Sequence, residues 1–343
     1  MDEFTDLPDF DSLPPVEGMP KGCAWGVFDK NGTKDTLGCL NLLTPAVVQA
    51  AYAEARDGIS ISLNHTLDML KVPTGRAAPS HRVLSWAEDI APAVCGHLHV
   101  LDDELSFNTQ ASSQWDGLLH YAHQATWLRY NGLRISKGEI EKGEKTGIPG
   151  LEHWHQRGGV VGRGVLLDYR AYAAAKGIEY DTRSRHVITV ADLEEIAKFQ
   201  GTELRRGDIL LVRSGVAEDF VGLSGDEQMA KMANSQGGMI GIEGTEEAAK
   251  WFWNKHFAAV AGDMLAFEVF PPQKADGSFG DMGDLVLHSY FLAMFGLNIG
   301  ELWNLKALGD HCAKIGRYSF LLTSIPLNIS GLVASPPNAL ALF

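Results

Sequence analysis

Between Arg206 and Gly215 the chain runs Arg206-Gly207-Asp208-Ile209-Leu210-Leu211-Val212-Arg213-Ser214-Gly215, a Gly-Asp turn followed by four consecutive apolar residues. A strand that is apolar at every position has no face to offer water, so it must lie inside a sheet covered on both sides. Val165-Leu166-Leu167-Asp168 and Ala258-Ala259-Val260-Ala261-Gly262-Asp263 predict two more strands, and Ile59 to Asn64 alternates strictly, as a half-buried strand does. Helices are predicted from Ile188 to Ala197, with Thr189 and Asp192 able to cap its start, and from Gly244 to Lys255. A further helix is capped by Thr44, has Pro45 at its first position and runs to about Arg56. At 343 residues the chain can bury a large core. Residues 1–20, rich in Asp and Pro, are expected to form an extended arm, and residues 21–343 a single domain.

A formal charge of -14 argues against binding a phosphate backbone, which needs a basic face, so no nucleic-acid partner is expected. No apolar run approaches the length that crosses a bilayer, and the acidic start is not a secretory leader. Cys23, Cys39, Cys95 and Cys312 are scattered without metal-binding spacing and read as reduced thiols of a cytoplasmic protein. Gly158-Gly159-Val160-Val161-Gly162-Arg163-Gly164 lacks the Gly-x-Gly-x-x-Gly spacing and leads into a strand, so a phosphate cradle is not expected. There is no Gly-x-Ser-x-Gly nucleophile motif.

The densest group of chemically capable side chains lies in Asp102 to His120. Gln110, Gln114, Asp116 and His120 follow one another at offsets of four, two and four. Leu105 to Thr109 alternates like a strand, Asp116-Gly117 signals a turn, and Leu118 to Leu128 has a helix-like pattern. Such a strand, turn and helix could aim all four side chains at one point. On spacing alone, Asp116 as a helix cap and His120 as a half-buried core histidine explain the pattern better. His97-Leu98-His99, on a predicted strand, and His153-Trp154-His155 read as pairs without a ligand role.

The segment resembles the signature of the metal-dependent cyclase family, which includes bacterial kynurenine formamidase and isatin hydrolase, and whose motif reads His-x-Gly-Thr-His-x-Asp-x-x-x-His. The two leading histidines fall on Gln110 and Gln114, and the Asp and last His fall on Asp116 and His120. The Gln-x-x-x-Gln-Trp-Asp variant resembles a longer branch of the family, to which trans-dienelactone hydrolase is similar. Trp25-Gly26, the Gly-Arg-Gly-Val-Leu-Leu-Asp run and the Gly207-Asp208 turn also match, as do His288 in Leu287-His288-Ser289 and Glu301 in Gly300-Glu301-Leu302.

That resemblance implies an α/β fold, with a mixed, twisted, barrel-like sheet surrounded by helices, of the swivelling β/β/α type. It implies a divalent metal ion, manganese or zinc, held by Gln110, Gln114, Asp116 and His288, with His120 and Glu301 as catalytic groups. Glutamine carbonyls in place of imidazoles favour an oxygen-loving ion such as manganese. An alternative is that Gln110 and Gln114 bind substrate instead. The implied reaction is hydrolysis of a small lactone, cyclic amide or amide, with His120 as general base and then acid. Trp25, Phe107, Trp115 and Tyr121 are expected to wall the substrate, with Arg213 as an anion-side group. A metal-assisted lyase or isomerase and a non-catalytic binding protein are the rivals. A homodimer or homotetramer is expected, with a small molecule as the only other partner and no membrane.

Overall fold

Ile209 to Arg213 forms the centre of a nine-stranded sheet in the computed structural model, which describes residues 4, 6–72, 75–143, 147–233 and 237–343. The strands are β1 (Ser60–Ser62), β2 (Gln114–Asp116), β3 (Val160–Asp168), β4 (Ile209–Arg213), β5 (Ala259–Gly262), β6 (Asn298–Glu301), β7 (Ser319–Ser324), β8 (Ala334–Ser335) and β9 (Ala339–Leu342). Their order is β1-β9-β7-β3-β4-β5-β6-β2-β8. The middle strands β3, β4, β5 and β6 run parallel, and the flanking pairs β3 with β7 and β6 with β2 are antiparallel.

Parallel neighbours need crossover segments that cover the sheet, and the helices expected near 188–197 and 244–255 supply them together with one that was not expected, at Tyr169–Lys176. After α1 (Pro45–Ala51) come α2 (Tyr169–Lys176) and α3 (Val190–Gln200) between β3 and β4, then α4 (Glu246–Lys255) between β4 and β5. Thr44 accepts from the Val47 N–H at the start of α1, and Thr189 and Asp192 form a reciprocal cap on α3. The result is the expected α/β class, a mixed sheet curled into a half-barrel with helices around it. Ile209, Leu210, Leu211 and Val212 are fully buried, as an unbroken apolar run requires. Gly164 faces Phe320 across the β3–β7 ladder, and a Cβ there would lie 2.3 Å from the Phe320 ring. Its glycine is therefore room for an aromatic, not a phosphate loop. Between the glycines, buried Arg163 pairs with Glu54 at 3.0 Å and Asp208 at 2.8 Å.

Two local expectations fail. His97-Leu98-His99 lies in a turn and loop, not a strand. Leu118 to Leu128 forms turns rather than a helix. Leu118 enters the main core while Leu119 joins a separate cluster with Ile135 and Ile148, so the two leucines do not serve one helical face. Arg129 also ties the Leu119 and Ile135 carbonyls together, at 2.8 and 3.1 Å.

Of the residues expected to form an arm, 1–3 and 5 lie outside the described part, as do Pro73 and Thr74. Phe10 is buried, its N–H donates to Asn254 Oδ1 at 2.8 Å, and the Pro8 carbonyl accepts from the Trp253 indole at 2.9 Å. A hairpin of Ser80–Ser85 with Leu101–Ser106 stands out from the body, its second strand exposed at every position. No described helix is long and apolar enough to cross a membrane.

Candidate metal centre

The short strand β2 decides which side chains meet. Successive residues of a strand point to opposite faces, so Gln114 and Asp116 share one face and Trp115 takes the other. Strand β6 pairs with β2 so that Glu301 lies opposite Gln114, and opposite residues of an antiparallel pair share a face. This places Glu301 beside Gln114 and Asp116, all three buried. His288 reaches the same point from a helical turn, Val286–His288, that continues as a wider coil to Phe295. One ligand atom each from Asp116, His288 and Glu301 lies within 4.8 Å of the others.

Around this trio the polar groups are interlocked. Gln110 Nε2 donates to Asp116 Oδ1 at 2.6 Å, and Gln114 Nε2 donates to Glu301 Oε2 at 2.9 Å and Asp116 Oδ1 at 3.2 Å. His120 stands at the open side, a quarter exposed, with Nε2 at 4.0 Å from Asp116 Oδ2. Glu301 Oε1 accepts the Phe267 N–H at 3.0 Å and lies 3.3 Å from His288 Nε2. Burial pushes the Asp116 carboxyl above its ordinary value, an effect that His120 opposes and Glu301 reinforces. Burial alone would lower the His288 imidazole, but hydrogen bonds to Glu268 and Glu301 outweigh it and raise it to about 10.

Two residues at the centre had escaped the sequence reading. Glu268 is fully buried and its Oε1 lies 2.8 Å from His288 Nδ1. Its only trace in the sequence is a lone carboxylate inside the apolar run Leu265-Ala266-Phe267-Glu268-Val269-Phe270. Arg76 Nη1 donates to the Gln110 carbonyl at 2.9 Å and lies 3.5 Å from Gln114 Oε1. It sits in a Pro/Gly loop with no pattern that could have marked it.

The expected substrate wall divides. Tyr121 is at the centre, its ring 5.5 Å from that of His288 and its hydroxyl donating to the Met282 carbonyl at 2.7 Å. Phe107 is half-buried just past the exposed hairpin. Trp115 is fully buried on the opposite face of β2, packed edge-on against Trp303 and Trp154 at 4.8 and 5.6 Å, so it is core and not wall. Trp25 donates to the Ala293 carbonyl at 2.7 Å and packs over Gly132, with no contact to the trio. Arg213 is buried and spent on Asp168 at 2.8 Å and Glu218 at 2.6 Å, so its guanidinium is not free to meet an anion. Asp263, at the end of β5, accepts from Ser214 and Gly215, anchoring that turn. A cavity of about 660 Å³ lined by Arg170, Tyr180, Asp181, Arg183 and Asp219 includes none of the trio, and in it Arg170 pairs with Asp219 and Arg183 with Asp181.

The donor set fits a divalent cation. Three buried carboxylates, Asp116, Glu268 and Glu301, surround one imidazole. Buried like charges at this density are costly unless a cation joins them. Two carboxylate oxygens and one imidazole nitrogen suit manganese or zinc.

A half-barrel α/β domain with a carboxylate and histidine cluster at the β2–β6 edge is thus the class of protein defined by the fold. The chain belongs to the Cyclase family: the model described as "Putative cyclase" matches residues 42–269. A crystal structure described as a novel cyclase superposes with a TM-score of 0.74 at 29% identity, covering 94% of this chain and 99% of the other. Isatin hydrolase A from Labrenzia aggregata, bound to benzyl benzoate, gives 0.52 at 15% identity over 86% of this chain and 96% of its own. Isatin hydrolase A from Ralstonia solanacearum gives 0.52 at 16% over 87% and 97%. No curated protein matches. The family expected from the motif is therefore the family found, and these likenesses share its fold.

Proposed function

We propose that this protein is a metal-dependent hydrolase that opens a small lactone or cyclic amide, or cleaves an amide. The observation that carries the reading is the buried convergence of Asp116, His288 and Glu301. These three residues would hold a divalent ion, manganese or zinc, which supplies Lewis acidity toward a carbonyl and toward water. Gln110 and Gln114 hold the two carboxylates in place through their amide N–H groups, a task different from the ligand role the motif suggested.

His120 is the group free to move a proton. It is partly exposed and stands beside Asp116 without being locked by it. It takes the proton from the attacking water and returns it to the leaving oxygen or nitrogen, while Glu301, beside His288, keeps the opposite side negatively charged. Tyr121 stands against His288, and its hydroxyl donates to the Met282 carbonyl just ahead of the turn that carries His288. Arg76 at the mouth offsets the carboxylate charge.

Small lactones and cyclic amides are the substrates to offer, with and without chelation. Hydrolysis should cease on full metal removal and return with manganese or zinc, and product formed in heavy-oxygen water should carry solvent oxygen. Turnover that survives complete chelation contradicts the mechanism. The exposed hairpin, with Val83, Leu101 and Leu105 open to solvent, supports the expected homodimer or homotetramer, which light scattering would detect.

A further inference from the structure

The way His288 is held says more than its presence in the trio. Glu268 projects from the segment beside Ile242, and both its oxygens are fully engaged at the start of the turn carrying His288. Oε2 accepts the N–H groups of Val286 at 2.9 Å and Leu287 at 3.0 Å, and Oε1 accepts the N–H of His288 at 2.7 Å. The fourth contact of the carboxylate is His288 Nδ1, 2.8 Å from the same Oε1. A carboxylate offers lone pairs and no proton, so Nδ1 must carry the hydrogen of this bond. Nε2 lies 3.3 Å from Glu301 Oε1 and would be the ring's ligand atom once an ion takes the place of its proton.

We infer that Glu268 is the positioning residue of the metal centre: it fixes the tautomer and the rotation of His288 so that the Nε2 lone pair points between Asp116 and Glu301. The inference rests on the metal-dependent reading proposed above. An outer carboxylate on a ligating imidazole usually contributes 10- to 100-fold in metal affinity. Here one side chain does two things at once, because the bonds that orient the ring also hold the backbone that bears it.

Gly244 belongs to the same device. A Cβ at this position would lie 2.7 Å from Glu268 Oε2, closer than real Cβ atoms come. The oxygen cannot retreat without giving up its bonds to Val286 and Leu287. Gly244→Ala thus displaces the carboxylate while leaving its chemistry intact, whereas Glu268→Gln keeps its shape and removes half of its accepting capacity. With Glu268→Gln, one of the two accepting positions becomes an NH2 donor: either Val286 and Leu287 lose the acceptor of their N–H groups, or the His288 N–H and Nδ1–H lose theirs, and in both cases the ring is no longer held in place.

The test is binding of manganese or zinc alone to the purified full chain, by competition with a chromophoric chelator, alongside ¹⁵N spectra of the histidine rings in the zinc-loaded protein. Wild type should bind, and Asp116→Asn should not. Glu268→Gln and Gly244→Ala should each bind about 10- to 100-fold more weakly. The wild-type spectrum should show a histidine protonated at Nδ1 and metallated at Nε2, lost in Glu268→Gln. If wild type binds tightly and both variants match it with the Nδ1–H signature intact, Glu268 is only a structural cap and the inference is overturned. If wild type itself binds no ion, the metal-dependent reading has failed, a result separable from the first. Should Glu268→Gln not fold, Gly244→Ala and Glu268→Asp, which retains the charge but is one methylene short, provide the same comparison.

Discussion

Replacing Asp116 with asparagine should separate what the cluster does for the ion from what it does for the fold. In the metal-free protein Asp116 lies within 4.8 Å of ligand atoms on both Glu301 and His288. At an effective dielectric of about 20, each interaction is worth about 3 kcal/mol or more, one repulsive and one attractive, so the two nearly cancel. What remains is the cost of burying the charge, offset in part by the Gln110 and Gln114 amides and by the nearby His120 and Arg76. Asparagine keeps an oxygen for those amides and drops the charge. Metal-free Asp116→Asn should therefore be as stable as wild type or up to about 2 kcal/mol more stable. Typical unfolding entropies of about 2.1 cal/mol/K per residue, over 343 residues, give roughly 0.7 kcal/mol/K. The variant's melting temperature should thus rise by about 0 to 3 °C. Ion at 100 times its Kd should stabilise wild type by about 2.7 kcal/mol, or about 4 °C, and Asp116→Asn hardly at all. Thermal melts with chelator and with added manganese or zinc read both effects. A variant that melts several degrees below wild type without ion, yet gains the full shift with it, refutes the reasoning.

His120→Ala should lower turnover by about 10²- to 10⁴-fold while ion binding stays near wild type, as measured by parallel kinetics and metal titration. Trp115→Ala should destabilise by about 3 to 5 kcal/mol in denaturant melts, because it empties a fully buried site between Trp154 and Trp303. His65 gives a pH signature: burial lowers its imidazole to about 4, and its Nε2 has no hydrogen-bond partner. Its folded pKa is below the unfolded value, so its contribution is intact above about pH 6.5 and is lost as pH falls toward 4. After allowance for solvent screening the loss is roughly 2 kcal/mol, seen as a difference between wild type and His65→Gln in melts across that window.

The sheet was legible because its central strands are apolar at consecutive positions, a pattern that only a covered parallel sheet satisfies. The centre was legible through its likeness to a known motif, because spacing alone favoured a helix cap: Gln114 and Asp116 sit two apart on β2, and the alternation of that short strand, which no local pattern marked, is what turns them to one side. The same alternation turns Trp115, between them, into the core rather than the expected wall. Arg213 misled for a related reason. It ends a buried strand, and its partners Asp168 and Glu218 come from elsewhere in the chain, where no local pattern announces them. Leu118 to Leu128 has the composition of a helix, but Leu118 and Leu119 enter different clusters, a choice made by tertiary packing. Glu268 and Arg76 act through contacts spanning 20 and 34 positions, so only the folded chain shows their role.

The central claim is that one divalent cation sits among Asp116, His288 and Glu301. Anomalous diffraction from crystals grown with manganese, recorded on both sides of the manganese absorption edge, tests it directly. The account predicts an anomalous peak within coordination distance of an Asp116 oxygen, His288 Nε2 and a Glu301 oxygen. A manganese-loaded, active crystal whose peak lies elsewhere, with these three side chains bonded only to one another, would contradict it.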